Sequence, residues 1–530
     1  MVETQQGEQP QKKKSKLIPI LLAAILIIGG GAAAFAFLKN LSPKEAYFQA
    51  EQKSYEHIVD TFKDRYESEL DWAEKTQEKP TESVLELSAN VSGIDNMSGG
   101  LFSVEQLVNN SKLVLSSQTD LDKKIMSSKV EGNIAGIELE NLDVHLTADK
   151  LLVHLPFLDE MMQVKGEDIG KILKSLDPYS FTGEESVDFN AFFESTAGLL
   201  SEEDVEYFKK EYGEMVFNEL PDDSFKKDSE TVAVDGDSIK ADKITMSLSE
   251  DQVKDILTKV FAKMEKDEKL KEIIKEQFQL QQFGFGLPIA NIPPQVQEEA
   301  DSFIEEFETA MKEAQEGIKD THFPDGINST IWVKDKLIVK RDFNLKMGVT
   351  EESVAGVQIT GTQKLDKDKQ VFDYDFNVTD QYNDGSIHIS GDLSSKDGKA
   401  EDTIKVTMDE IEVSYHGTET EKKGKKEFNR EFSFMESGMG GKLIWSGDAT
   451  YEKDNMNSNH KFAIDADGIS QDMFSLNLKK DMKLIKGVDA PKEDNVKDLG
   501  GMNPEELKSY FEMEVAPKMQ QWLFGSMGGF

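Results

Sequence analysis

The chain has seven histidines, and they are scattered: His57, His145, His154, His322, His388, His416 and His460. One pair has a spacing that geometry can use. If Ala148-Asp149 turns the chain between two strands, His145 and His154 lie diagonally on one face of a hairpin, with Asp143 opposite His154. Two imidazoles and a carboxylate can begin a metal site. On a wet sheet face the same groups are ordinarily solvated, so no metal ligand is assigned. Asp465-Ala466-Asp467-Gly468 opens like a calcium loop but lacks the third oxygen ligand before the glycine and the closing glutamate, so it reads as a hairpin turn. Asp366-Lys367-Asp368 is a weaker case of the same kind.

Other chemistries find no frame. There is no G-x-S-x-G elbow, Walker loop or G-x-G-x-x-G fingerprint. Phe283-Gly284-Phe285-Gly286 follows no strand and reads as a hinge. With 101 acidic residues, paired carboxylates arise by chance and carry no information. Zero cysteines exclude disulfides, thiolate zinc sites, iron–sulfur clusters and thiol nucleophiles. Only Arg65, Arg341 and Arg430 offer the bidentate fork suited to phosphate. The expectation is a non-enzyme, with no catalytic, cofactor-binding or metal residue and no cofactor.

Charge narrows the partners. Formal net charge is −40; residues 1–40 carry five Lys and two Glu, leaving −43 on the rest. Such a surface repels nucleic acid and anionic headgroups.

The elements that would hold any site begin with Leu17–Leu38, an uncharged apolar run of 22 residues. As a helix at about 1.5 Å per residue it crosses a hydrocarbon core of about 30 Å. Lys12, Lys13, Lys14 and Lys16 precede it, and only Lys39 follows closely. The positive-inside rule then places residues 1–16 in the cytoplasm and the bulk outside, as a single-pass protein of the cell membrane. A cleaved signal peptide is the rival reading, since Ala34-Phe35-Ala36 has a small-x-small form. The absence of cysteine in a long exported domain leans toward a Gram-positive bacterium.

Beyond the anchor, Ser42, Pro43 and Glu45 open a helix that Lys79-Pro80 ends. Strands are expected to Val91, over Lys112–Ser117, Ile125–Ile134, Ile137–Leu146 and Leu151–Leu155, and within 231–248. Ile169–Leu176 and a segment capped by Ser201 read as helices. Ser249 with Gln252 caps one long helix over 250–280, and another spans 295–318. From 328 to 486, regular turn signals imply eight or nine up-and-down strands, with Asn383-Asp384-Gly385 as a hairpin turn. Asn503, Pro504 and Glu506 open a last helix, and Trp522-Leu523-Phe524 packs on the sheet or frays.

The fold class is therefore α+β: an N-terminal transmembrane helix, then antiparallel up-and-down β-meander sheets, half-barrel-like, covered by amphipathic helices. The regions are 1–16 basic tail, 17–38 signal-anchor, 41–248 first α+β region, 249–320 helical segment and 321–530 β-meander with a C-terminal helix. Flexible methionines at Met161-Met162, Met435 and Met439 lie near strand ends, where the mouth of an apolar groove would sit.

The basic tail, the anchor, the opening Ser42–Glu51 and the Lys-rich, Arg-poor, Cys-free remainder resemble membrane-anchored ectodomain proteins of Bacillus-type bacteria, a family without a known activity. The meander with covering helices is also similar to the half-barrel of bacterial lipoprotein carriers and mycobacterial lipid-binding lipoproteins, though the lipobox cysteine is missing. That second resemblance implies an apolar ligand site. The expected function is a membrane-anchored extracytoplasmic envelope protein that binds a partner. The alternative is a half-barrel carrier of lipid or another hydrophobic ligand, and a metal-dependent enzyme comes last. Partners are the cytoplasmic membrane through residues 17–38 and a hydrophobic ligand or envelope protein, with no nucleic acid.

Overall fold

The computed structural model describes residues 41–93, 104–179, 181–194, 201–282, 289–291, 294–350, 353–380, 384–493 and 495–527. The anchor at Leu17–Leu38 and the Phe283–Gly286 hinge lie outside them. Among the described residues, no helix is long and apolar enough to cross a membrane.

The strands are β1 Thr81–Val91, β2 Lys112–Asp120, β3 Ile125–Ile134, β4 Ile137–Thr147, β5 Lys150–His154, β6 Met161–Lys165, β7 Ser186–Val187, β8 Phe225–Val234, β9 Asp237–Leu248, β10 Ile289–Asn291, β11 Ile327–Lys334, β12 Leu337–Thr350, β13 Ser353–Leu365, β14 Lys369–Thr379, β15 Asp384–Lys396, β16 Lys399–Met408, β17 Ile411–Lys422, β18 Lys425–Glu436, β19 Met439–Tyr451, β20 Asn455–Ala466, β21 Phe474–Leu484 and β22 Val496–Asp498. Apart from the β7–β10 pair, all belong to one open sheet of 20 strands. Across that sheet the pairings run β22, β6, β5, β4, β3, β2 and β1, then β21 in descending order to β11, then β9 and β8. Only β22 with β6 is parallel. The joint is β1 with β21, paired along their whole length from Thr81↔Leu484 to Val91↔Phe474.

Three sequence expectations are corrected. The span read as eight or nine strands holds eleven, β11 to β21. The missed turns include Asp335-Lys336 and Asp409-Glu410, which lack glycine and instead hold Asp335, Lys336 and Asp409 at positive φ. Asp384 and Gly385 are not the hairpin turn; they pair with Thr379 and Val378 inside β15. The helix read over 250–280 is two helices, Glu250–Lys266 and Glu268–Gln282.

Asp267 causes that break. Its carboxylate accepts Tyr207 Oη at 2.5 Å and Tyr212 Oη at 2.6 Å, and caps the second helix at Leu270 N. Residues five apart do not align on an α-helix. Here a π-turn at Lys209–Gly213 rotates Tyr212 under Tyr207, so both reach one acceptor. Burial alone would raise the Asp267 carboxyl, but these three donors outweigh it and hold it below the ordinary carboxylate range. A depressed folded-state pKa stabilises above the unfolded value and loses that stabilisation as pH falls through the folded one. Asp267→Ala is expected to cost about 1–3 kcal/mol at neutral pH, read as a lowered urea midpoint, and less at pH 3. An unchanged midpoint at pH 7 would refute the role.

The main core lies where helices Glu250–Lys266 and Pro294–Gly317 cover one face of β8, β9 and β11–β13, burying Ile331, Phe343, Leu345, Val260 and Phe261. A second core joins β6 to the C-terminal helices through Leu158, Leu499, Leu507 and Tyr510; there Trp522 lies 5.9 Å from the Phe157 ring.

The helix pair Pro43–Arg65 and Glu67–Glu78 spans the same face diagonally. Ser42 and Glu45 form the expected capping box. Tyr47 Oη meets Ser329 Oγ of β11 at 2.6 Å, and Glu51 accepts from Arg341 of β12 at 2.5 Å. Farther on, Arg65 donates to Asp402 of β16 and the Ser394 carbonyl of β15, and Glu69 accepts from Lys426 of β18.

Candidate ligand-binding groove

Alternation decides which side chains share the helix-bearing face. Across β14–β20, paired residues form rows on that face. One row is Phe376, Ile387, Met408, Ile411; the next is Tyr374, Ile389, Val406, Val413, Phe434; the third is Phe372, Ile404, Tyr415, Phe432, Leu443, Ile464. Their neighbours in sequence, such as Asp373, Asp375, Ser390, Lys405 and Ser433, face the other way.

The same rows are buried in β11–β13 and open in β14–β20, because the helical layer ends. Phe343 is 2% exposed beneath that layer, whereas Phe432 is 41% and Phe434 47%. Two glycines keep the floor low: a Cβ on Gly391 would lie 2.3 Å from the Phe372 ring, and one on Gly361 2.3 Å from Tyr374. The rings lie over the spaces these residues leave.

The helix pair supplies a wall. Tyr55, Ile58, Phe62 and Tyr66 recur at three and four, so they share one flank of Pro43–Arg65 and its end. Tyr55 is 69% exposed and Phe62 56%. Phe62 packs on Tyr66 at 4.7 Å between ring centres, and the Tyr66 ring centre lies 5.2 Å from Lys426 Nζ of β18. The helix pair thus crosses the sheet beside the open rows, and the two together outline an open groove. With strands about 4.8 Å apart and residues about 3.3 Å apart along them, the floor alone is roughly 30 by 13 Å. That is about the size of the largest apolar patch of an ordinary monomer, before the wall is added.

A line of charge borders the groove under the helix. Arg430 bonds Glu419 at 3.0 Å and lies 4.6 Å from both the Phe428 and Trp445 ring centres. Trp445 Nε1 donates to His460 Nδ1 at 3.2 Å. Burial, then the Arg430 cation, hold His460 below the ordinary histidine value. The unfolded chain therefore takes up this proton first, and stability falls as pH drops through the ordinary histidine range. Trp445 fluorescence is expected to titrate with a midpoint below about 6.5 and to lose that transition in His460→Gln. A midpoint at or above the ordinary value would refute the assignment.

The sequence-derived candidates fare differently. Asp143 does stand opposite His154, at 3.6 Å. His154 Nε2 is spent on the Leu158 carbonyl and His145 Nδ1 on Ser127. Their face is mixed: His154 and Asp143 are half-buried, whereas Leu152 opposite His145 is fully buried. Gly468 takes a positive φ of 82° in a turn bridged by Ala466 and Ile469, as the turn reading required. Met161 and Met162 do open a strand, β6, but not one of the groove; Met439 sits exposed at the groove end, and Met435 points to the opposite face. Sequence reading missed Asp373, Asp375 and His388, the one potential metal-holding group among the described residues. His388 turns Nδ1 to Asp375 at 2.9 Å and Nε2 toward Asp373 at 3.7 Å. One ligand atom from each residue lies within 4.8 Å of the others, on the outer face of the sheet away from the apolar rows. It also missed Tyr55 as the start of the wall, which helical spacing would have revealed had tyrosine been counted as apolar.

No family model matches the sequence, and no curated protein matches it. Among solved structures, Acinetobacter baumannii OccAB2 aligns over 76% of this chain and 97% of its own at 4% identity and a TM-score of 0.23. OmpT, an outer membrane protein of Vibrio cholerae, aligns over 77% and 98% at 6% identity and a TM-score of 0.19. At these scores the likeness carries no argument about this chain.

Proposed function

We propose that the chain is a non-enzymatic binding protein, held at the cell membrane by Leu17–Leu38, whose extracytoplasmic part carries a lipid-like apolar chain. The observation that carries this reading is the half-exposed apolar floor of β14–β20 beside the apolar flank of Pro43–Arg65. The groove is open along its length, which suits an extended chain more than a compact molecule. Its floor, roughly 400 Å² from the strand spacings, is about half of what each partner gives to a standard protein interface. Area thus favours a ligand over the envelope-protein partner.

The test is photo-crosslinking in the native cell. Benzoylphenylalanine replaces Phe434 in the full chain, with Ser433, its neighbour on the opposite face, as control. A lipid-mass adduct at 434 and not at 433 is the expected result. A protein adduct at 434 would return the reading to a partner-binding envelope protein, and equal labelling at both positions would refute the groove.

A further inference from the structure

The two ends of the sheet differ in charge: one is acidic and the other mixed. The described residues that connect the strands beside the open rows, 380, 409–410, 437–438 and 467–473, contain no lysine or arginine. They and the strand ends beside them place Asp384, Asp409, Glu410, Glu436 and Asp467 at the surface. None of these five carboxylates has an ion-pair partner among the described residues; Glu410 has only a hydroxyl, Ser437 Oγ at 2.5 Å. At the far ends of the same strands the turns carry exposed lysines, such as Lys336, Lys367, Lys396 and Lys423, beside exposed acids such as Asp335, Asp366 and Asp397. The difference between the ends is one of mixing: the far turns interleave lysines with acids, whereas the turns beside the open rows hold acids alone. A strand of twelve residues is about 40 Å long, several Debye lengths, so each end sets its own local potential.

The acidic end is also the open end. Met408, Ile411 and Met439 of the first apolar row adjoin Asp409, Glu410 and Glu436 directly in sequence or across the strands. An amphiphile lying on the rows with its head toward this end places that head among unpaired carboxylates. We propose that the groove takes a cationic single-chain amphiphile, its chain on the floor and its head among these turns. This rests on the apolar-chain reading above and adds the head charge. Five charges about 10 Å away, in water and screened over about one Debye length, favour a cationic over an anionic head by about tenfold.

The experiment uses the full chain in its membrane and two photoreactive probes that share a dodecyl chain and diazirine, one a trimethylammonium and one a sulfonate. Labels are mapped by mass spectrometry. The ammonium probe is expected to label the groove strands β17–β19 about tenfold more than the sulfonate. In a variant with Asp409→Asn, Glu410→Gln and Glu436→Gln, the ratio should approach one. Raising the salt on the unaltered chain should narrow it without any substitution. Equal labelling in the native chain, or a preference for the sulfonate, overturns the head-charge assignment while leaving the apolar-chain reading standing. No labelling of the groove by either probe overturns both. A protein or second copy crosslinked at Phe434 in the cell overturns the amphiphile as occupant.

Discussion

Lys426→Met is expected to lower folding stability by about 3–5 kcal/mol, the usual result of removing one partner from a buried charge cluster. Lys426 is 1% exposed, and its Nζ lies 2.7 Å from Glu69, 3.0 Å from Glu419 and 3.5 Å from Glu421. Methionine keeps the volume of the stem but leaves three carboxylates facing one another with only Arg430, on Glu419, to offset them. It also releases the helix Glu67–Glu78, since Glu69 is how that helix grips β18. Burial would lower the lysine's pKa, yet the glutamates outweigh it and hold it above the ordinary value. A raised folded-state pKa stabilises fully below the unfolded value, and that contribution is lost as pH rises through the folded one. The native chain should therefore weaken in strong alkali. The penalty of the variant should shrink in acid, where the glutamates protonate. Denaturant midpoints give the magnitude, and hydrogen exchange should show faster opening of 67–78 than of β2–β4. A second variant, Lys426→Met with Glu69→Met, separates charge from packing: it should recover part of the loss. A loss under about 1 kcal/mol would mean that water and Arg430, not Lys426, neutralise the three glutamates.

How far such clusters can be foreseen depends on range. The capping boxes at Ser42, Ser249 and Asn503 were legible, because each closes within four residues. So were β3 and β4, whose alternation is local. The join of β1 to β21 was not, because nothing in Thr81–Val91 names a partner on the far side of the chain. The break at Asp267 depends on two tyrosines supplied by a distant π-turn, so the apolar spacing ran through it undisturbed. The groove was half legible. Phe372 to Val378 shows that one face is apolar, but whether that face is buried depends on where Glu250–Lys266 and Pro294–Gly317 stop, and they stop short of β14. Lys426 itself reads as one more lysine in the turn Lys422–Lys425. Only the register, which sets it opposite Glu421 and Ala449 and under the first helices, makes it the most buried cation of the sheet.

Phe434→Asp should reduce capture of an apolar probe in the groove by about thirtyfold, with little change in stability. The stability side follows from exposure: Phe434 is half open, its cross-strand partners are Val413 and Gly441, and a carboxylate there can reach water. The binding side sums two terms. Losing half of a phenylalanine's burial against the chain costs about 1 kcal/mol. Covering a new carboxylate with hydrocarbon costs at least about as much again, and more if water is excluded. Tyr55→Asp, on the helix wall, should act in the same direction but about tenfold, because one wall residue at the groove's side touches less of the chain. Ser433→Asp adds the same charge one residue away on the opposite face and should leave binding unchanged. That control matters because the floor and the outer face alternate along one strand: a general effect of added negative charge would move all three variants together. The order Phe434, then Tyr55, then Ser433 is what the geometry requires. Equal effects at 434 and 433 would mean that the probe does not lie on this face, whereas an effect at 434 without one at 55 would place the chain along the strands, away from the helix.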